Sequence, residues 1–252
     1  MKNTLGVIPA RMASSRFPGK PLKKILNIPM LAHCYERALL SGVCDNLVIA
    51  TPDQEIIDWA TQFEIPSVLT SHSHKRATER AKETLDILTN DGLHYDLVLL
   101  LQGDEPQIFP EDIGNLKQAF SNNELEVVNL VFPLSDDGLE DPNVVKVALD
   151  KNLTIHFFTR SHIPHDCISG YRQLGMIGLT KKALNHYVSL PPTSLEEVES
   201  IDMMRLIEND FSIQGVLSTS PILGVDTQQD LKKVEKIMTN DKFFNLYKEK
   251  YI

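Results

Sequence analysis

The residues most able to do chemistry follow the first apolar stretch, Leu5–Pro9. They run Ala10-Arg11-Met12-Ala13-Ser14-Ser15-Arg16-Phe17-Pro18-Gly19-Lys20. Small side chains at Ala10, Ala13, Ser14, Ser15 and Gly19 allow a ligand close to the backbone, and Arg11, Arg16 and Lys20 add fixed positive charge. Backbone N–H groups beside guanidinium and ammonium partners make a cradle for a triphosphate. No G-x-x-x-x-G-K-[ST] occurs, so the loop is not a Walker-type P-loop. Two distant aspartates complement it: Asp104 in Gln102-Gly103-Asp104-Glu105-Pro106, and Asp226 after Gly224-Val225. Magnesium takes one or two protein carboxylates plus substrate oxygens, so aspartates beside a basic loop suit phosphoryl or nucleotidyl transfer. Asp226 has a second reading, as the N-cap of a helix beginning at Gln228.

These residues need a scaffold that brings strand ends together. Leu5–Pro9, Asn46–Thr51, Ile65–Leu69 and Asp96–Leu101 are short and rich in Val, Ile or Leu, the pattern of buried parallel strands. Between them Met30–Ser41, Gln54–Phe63 and Thr78–Leu88 carry apolar residues at helical spacing. Alternation of this kind predicts an α/β fold, a mostly parallel Rossmann-like sheet whose ligands bind at the carboxyl ends of the strands. The basic loop and Asp104 both occupy such ends. Glu124–Pro133, Asn143–Asp150, Thr154–Thr159 and Ile213–Leu217 read as further strands. Helical pattern returns at Ser194–Asn209, where Ser194 and Glu197 have capping-box spacing, and again at Gln228–Met238 and Asp241–Lys248. From about 136 to 190 dense turn signals interrupt the alternation, which predicts an inserted antiparallel region within a single domain spanning 1–252.

Composition narrows the function classes. The chain has 252 residues, 42% of them hydrophobic, and a formal charge of -9 from 25 basic and 34 acidic residues. An acidic balance argues against a nucleic-acid binder. Apolar runs such as Leu97–Leu101 are far shorter than the roughly 20 residues of a membrane span. The start of the chain has no apolar region of signal-peptide length, so the expected location is cytoplasmic. The cysteines, Cys34, Cys44 and Cys167, are too few and scattered for a disulfide framework or structural zinc. His72 and His74 read as parts of a solvated loop rather than a metal site.

The basic loop resembles the signature loop of nucleotide-sugar cytidylyltransferases, specifically the 3-deoxy-manno-octulosonate (Kdo) cytidylyltransferase, or CMP-Kdo synthetase, family. Further matches follow in order: Thr78-Glu79-Arg80, Leu101-Gln102-Gly103-Asp104-Glu105-Pro106, Pro142-Asn143-Val144-Val145-Lys146-Val147, Phe158-Thr159-Arg160, Ile163-Pro164, Leu195-Glu196 and Gly224-Val225-Asp226-Thr227. The resemblance implies attack of a sugar-acid anomeric hydroxyl on the α-phosphorus of CTP, with Mg²⁺ held by Asp104 and Asp226. It implies that Lys20 and Arg11 neutralise the pyrophosphate. Ala10, Arg11, Arg16, Lys20, Arg80 and Gln102 would hold the nucleotide. Arg160, Gln173, Ile177 and Met203 would face the anionic sugar acceptor. A homodimer formed through the inserted region is implied as well.

Departures from the family pattern cluster on the sugar side. Where the family has His-Leu-Gly-Ile-Tyr-Gly-Tyr, this chain has Gln173-Leu174-Gly175-Met176-Ile177-Gly178-Leu179; where it has Glu-Gln-Leu-Arg, this chain has Asp202-Met203-Met204-Arg205. Near the base, Arg76-Ala77 replace Ser-Gly and Ser71 replaces an Arg. A pocket stripped of hydrogen-bonding groups loses discrimination between hydroxylated substrates. The expected acceptor is therefore one other than unmodified Kdo, such as a related amino- or deoxy-ulosonic acid, with Kdo itself as an alternative. Alternatives are another anionic sugar or a polyol acceptor, or a catalytically silent nucleotide-binding homologue.

Overall fold

A computed structural model describes residues 2–14, 16–218 and 220–251, with the side chains of Asp136 and Asp137 outside the description. Ser15 of the basic loop therefore lies outside the described residues. The chain forms two compact units, Met1–Ile113 with Ile222–Ile252, and Gly114–Pro221.

The first unit begins with β1 (Thr4–Pro9), a small hairpin of β2 (Lys24–Ile25) and β3 (Ile28–Pro29), and α1 (Met30–Leu40). It continues through β4 (Asn46–Thr51), α2 (Gln54–Gln62), β5 (Ser67–Leu69), α3 (Ala77–Asn90), β6 (Leu97–Leu101) and the start of α4 (Pro110–Ala119). Strands β5, β4, β1 and β6 lie side by side in that order, all parallel. Every residue of β6 is buried, as a strand covered on both faces requires. The chain leaves β1 toward β4 and β5, then returns to place β6 on the opposite side of β1. The carboxyl ends of β1 and β6 thus flank the switch point where open α/β sheets bind ligands.

The second unit contains β7 (Val127–Ser135), the short α5 (Asp136–Leu139), β8 (Lys146–Leu149), β9 (Thr154–Thr159) and β10 (Ser169–Thr180). Helices α6 (Lys181–Ser189), α7 (Ser194–Glu199) and α8 (Met204–Ile207) precede β11 (Ile213–Leu217). Its pairings are antiparallel apart from β7 with β11. Arg172 opposite Lys146 also joins β10 to β8. The fold is α/β with both parallel and antiparallel strands, and the chain then re-enters the first unit with α9 (Gln228–Met238) and α10 (Phe244–Tyr247).

Several elements differ from the sequence expectation. The helix expected over 194–209 is broken: Ser200 adopts a left-handed conformation at φ 56° and ends α7, and a turn separates it from α8. Its first turn also shifts by one residue, because Glu196 accepts from the Thr193 N–H at 3.4 Å. Glu196 is fixed there by a buried pair with Arg205 at 2.7 Å, which Glu197 does not share. The strand expected from Asn143 begins only at Lys146, since the Asp141 side chain accepts from the Asn143 N–H and closes a turn. Helices α4 and α6 and the long strand β10 carried no clear periodic signal. No helix among the described residues is long and apolar enough to cross a membrane.

Helix α1 is buried on more than its apolar side, because the last residues of the chain cover its polar face. Arg37 is fully buried, with its guanidinium 2.6 Å from Asp241 and donating to the Ile108 carbonyl at 3.2 Å. Glu36 accepts from the Tyr251 hydroxyl at 2.6 Å and from Lys250 at 2.9 Å. His33 Nε2 donates to the Ile25 carbonyl at 2.9 Å, so Nδ1 is the acceptor for the Tyr247 hydroxyl at 2.8 Å. Both nitrogens are occupied by the neutral ring. Burial, partly opposed by the Ile25 hydrogen bond, pushes the His33 pKa down to about 4 from 6.5.

The unfolded chain takes up this proton near pH 6.5 and the folded chain only near pH 4, so stability falls as pH drops through that window. Between pH 7 and pH 4 the wild type should lose about 2–3 kcal/mol more stability than His33→Gln. Urea unfolding of both proteins at the two pH values checks this, and equal losses would remove His33 as the cause.

Candidate active site

The basic loop is held at several points. The Ala10 N–H donates to the Ala50 carbonyl at 2.9 Å, extending the β1–β4 ladder by one residue. Asp53 accepts from the Met12 N–H at 2.7 Å, and the Gly19 N–H closes the loop on the Met12 carbonyl at 3.1 Å. Gly19 sits at φ 69°, a conformation that favours glycine. Phe17 is buried in a cluster with Ile25, Met30, Val225, Leu231, Val234 and Met238, which ties the loop to α9. Across the switch point, a Cβ on Gly103 would lie 2.9 Å from the Pro9 carbonyl oxygen, so only glycine lets the end of β6 approach β1 this closely.

Lys20 lies at the centre. Its Nζ is 2.7 Å from Asp104 Oδ2 and 3.1 Å from Asp226 Oδ1. Asp226 is brought there by its neighbour: the Val225 N–H donates to the Asp104 carbonyl at 2.9 Å while the Val225 side chain is buried. Arg16 reaches the other oxygen of Asp226 at 3.1 Å. Burial alone would lower the Lys20 pKa, but the charges and hydrogen bonds of Asp104 and Asp226 outweigh it and raise it above 10.5. The ammonium stays charged at every working pH. The capping reading of Asp226 does not hold, because Thr227 caps α9: its hydroxyl accepts from the Asp230 N–H at 3.2 Å, and Asp230 accepts from the Thr227 N–H at 2.9 Å.

The third wall comes from the start of α3. Arg80 is buried and donates to the Thr70 hydroxyl and to the Ser71 carbonyl, the latter at 3.2 Å. Its desolvation and the charge of Arg11 both lower its pKa, which marks two guanidiniums converging on one space. Glu79 accepts from the N–H groups of Lys75 and Arg76 at 3.1 and 3.3 Å, folding that dipeptide over the cleft. His74, read from the sequence as solvated, instead contacts Glu83 at 2.5 Å and lines the cleft. No group of three or more His, Cys, Asp or Glu able to hold a metal occurs among the described residues.

The structure thus gathers Ala10, Arg11, Arg16, Lys20, Arg80, Gln102, Asp104 and Asp226 around one cleft of about 300 Å³. Lys75 and Arg76 line it too, and sequence reasoning had not given them a binding role. Six cationic side chains face two carboxylates in this space, an inversion of the protein's overall charge of -9. The four residues expected at the acceptor belong to the second unit. Arg160 donates through Nε to the Glu199 carbonyl at 3.0 Å and through Nη1 to the Pro142 carbonyl at 3.0 Å. Gln173 Nε2 donates to Asn129 Oδ1 at 2.6 Å, while Ile177 and Met203 are buried.

A cytidylyltransferase family profile matches residues 5–215. The chain belongs to this family. It is 36% identical over 249 residues to the 3-deoxy-manno-octulosonate cytidylyltransferase of Thermodesulfovibrio yellowstonii, covering 93% of this chain and 98% of that one. The enzyme of the same description from Fusobacterium nucleatum subsp. nucleatum is 36% identical over 236 residues, covering 91% and 94%. A solved structure of CMP:2-keto-3-deoxy-manno-octonic acid synthetase complexed with CTP superposes with a TM-score of 0.85. It is 32% identical and covers 95% of this chain and 99% of that one. The chain is accordingly a nucleotidyltransferase.

The donor set of this cytidylyltransferase fits a hard divalent cation. Asp104 and Asp226 each reach the same ammonium within 3.1 Å, and about a third of each side chain is exposed. Two carboxylates this close, open to solvent and to a phosphate ligand, match the sparse protein coordination of Mg²⁺.

Cap and carboxylate can be separated by stability. Thr227→Ala should destabilise the protein by about 1 kcal/mol, the usual cost of a lost N-cap. Asp226→Asn should cost less, because its pair with Arg16 is exposed and screened and Lys20 keeps Asp104 as a partner. Denaturant midpoints decide the matter, and a larger loss from Asp226→Asn would return that residue to a structural role.

Proposed function

We propose that this cytidylyltransferase couples CTP to a Kdo-like sugar acid, releasing pyrophosphate and giving a CMP-sugar for surface-polysaccharide synthesis. The observation that carries the reading is the surplus of four positive charges in a cleft of an acidic protein. A nucleoside triphosphate brings about four negative charges, and fixed cations in a partly enclosed space attract it strongly. CTP is also the ligand of the 32% identical synthetase structure.

In this reading Arg11 and Arg80 take the phosphate chain, and Ala10 and Gln102 border the nucleoside. Attack of the acceptor hydroxyl on the α-phosphorus breaks the bond to the β-phosphate. Lys20, held charged by the two aspartates, faces the negative charge that grows on the departing pyrophosphate. Arg11, exposed and in no ion pair among the described residues, does the same. Asp104 and Asp226 would hold Mg²⁺, which would supply positive charge to offset that of the phosphates. The whole chain, 1–252, would act as one catalytic module, cytoplasmic because CTP is there, and dimeric through the antiparallel region at about 136–190.

For the acceptor we retain Arg160, Gln173, Ile177 and Met203. Ile177 and Met203, apolar and buried, supply shape and no hydrogen bond, whereas Gln173 keeps an amide where the family has an imidazole. The acceptor is then Kdo or an amino- or deoxy-relative of it.

Pyrophosphate release from CTP, UTP, ATP and GTP, each with Kdo and related ulosonic acids, tests the proposal. CTP with at least one ulosonic acid should far exceed every other pair, and no release with any pair would overturn it. Asp104→Asn and Asp226→Asn should each lower turnover by about two orders of magnitude or more. Lys20→Ala should mainly depress turnover and Arg11→Ala both CTP binding and turnover, each by about tenfold or more. Steady-state kinetics checks these, and wild-type constants in the Lys20 and Arg11 variants would withdraw the triphosphate assignment.

A further inference from the structure

The two carboxylates that would hold a divalent cation already hold a cation of the protein's own. Lys20 Nζ stands 2.7 Å from Asp104 Oδ2 and 3.1 Å from Asp226 Oδ1, so the ammonium fills the space between one oxygen of each. Arg16 takes the second oxygen of Asp226 at 3.1 Å. A lone pair that accepts from an ammonium is not open to a metal ion, and two cations on the same pair of carboxylates repel. The ammonium is also the most enclosed of the three charges. Of the Lys20 side chain 12% is exposed, against 36% and 37% of the two aspartates.

Lys20 can leave this position without disturbing the loop. Its backbone is fixed in a short 3₁₀ turn, Lys20–Leu22. There the Lys20 N–H donates to the Phe17 carbonyl at 3.2 Å, and the Lys20 carbonyl accepts from the Lys23 N–H at 3.1 Å. The flexible four-carbon stem is the part left to swing, and its ammonium has no planar fork to keep aligned. Arg11 and Arg80 line the same cleft. A triphosphate seated on them brings oxygens that can draw the ammonium off the aspartates.

We propose, resting on the assignment of Mg²⁺ to Asp104 and Asp226, that Lys20 stands in for the divalent cation in the nucleotide-free protein and yields its place when a nucleoside triphosphate takes up the ammonium. Before it faces the pyrophosphate, Lys20 is thus a positioning residue. It keeps two mutually repelling carboxylates together and keeps the metal out until substrate is present. Nucleotide and metal then bind with positive coupling, because each favours the state in which the ammonium has moved.

Titration of the nucleotide-free, full-length protein with Mn²⁺, which shares the oxygen preference of Mg²⁺, tests the exclusion. The paramagnetic resonance signal of the free ion reports binding, and circular dichroism confirms that each variant is folded. Lys20→Met should bind Mn²⁺ at least about tenfold more tightly than the wild type, because no charge-assisted bond has to be broken first. Adding Asp226→Asn to Lys20→Met should remove the gain. Equal affinities in the wild type and Lys20→Met, both lost with Asp226→Asn, would overturn the proposal and leave the metal assignment standing. A gain that survives Asp226→Asn would overturn the metal assignment and the proposal with it. A crystal structure of the wild type with CTP and a chelator tests the release and depends on no variant. Lys20 Nζ should lie on a phosphate oxygen, out of hydrogen-bond reach of Asp104 and Asp226. An ammonium still between the two carboxylates beside bound CTP would sink the idea.

Discussion

One ammonium group sets the terms for the rest of the cleft. Lys20 is shared by carboxylates that stand 84 and 206 residues away along the chain. A mostly buried charge is tolerable only where its partners are fixed in good geometry. Phe17 anchors the loop that carries Lys20, Gly103 permits the close approach of the strand end that carries Asp104, and the Val225 N–H sets Asp226 beside it. None of these three supports is charged or polar in its side chain. Apolar packing and backbone contact place the electrostatics.

The same economy appears under α1, with the chemistry reversed. There polar side chains do the packing: Arg37 pairs with Asp241, Glu36 receives Tyr251 and Lys250, and His33 bridges Ile25 and Tyr247. Apart from the bond to Ile25, each joins the helix to the C-terminal segment. Burial fixes the protonation of His33 low, just as paired carboxylates fix that of Lys20 high.

Much of this was legible from residue patterns where a segment's surroundings are uniform. Asn46–Thr51, Thr154–Thr159 and Gln228–Met238 appear with the limits that their apolar patterns imply. The meeting of the basic loop with Asp104 was readable because strand ends in a parallel sheet point to one place, whereas Asp226 lies in the coil beyond β11 and is set there by the Val225 N–H. What escaped depends on partners distant in sequence. Helical periodicity marks the polar face of α1 as solvated, and only the returning C-terminal segment buries it. Strand β10 carries glycines at 170, 175 and 178 and an irregularity between Gln173 and Ile177, so its alternation breaks within the strand. The places of Lys75, Arg76 and His74 at the cleft follow from Glu79 and Glu83, whose aim only the folded α3 reveals.

The discontinuity of the first unit has a consequence for how the molecule is made. The second unit is one unbroken stretch of chain, whereas the first is interrupted after Ile113 and resumes at Ile222. A ribosome therefore delivers Lys20 and Asp104 early and must translate the whole of the second unit before Asp226 emerges. Until then the ammonium has one of its two counter-charges, and Phe17 lacks Val225, Leu231 and the other late members of its cluster. No nascent chain that stops short of this return holds the complete cleft, so the full set of charges around Lys20 is assembled only late in synthesis.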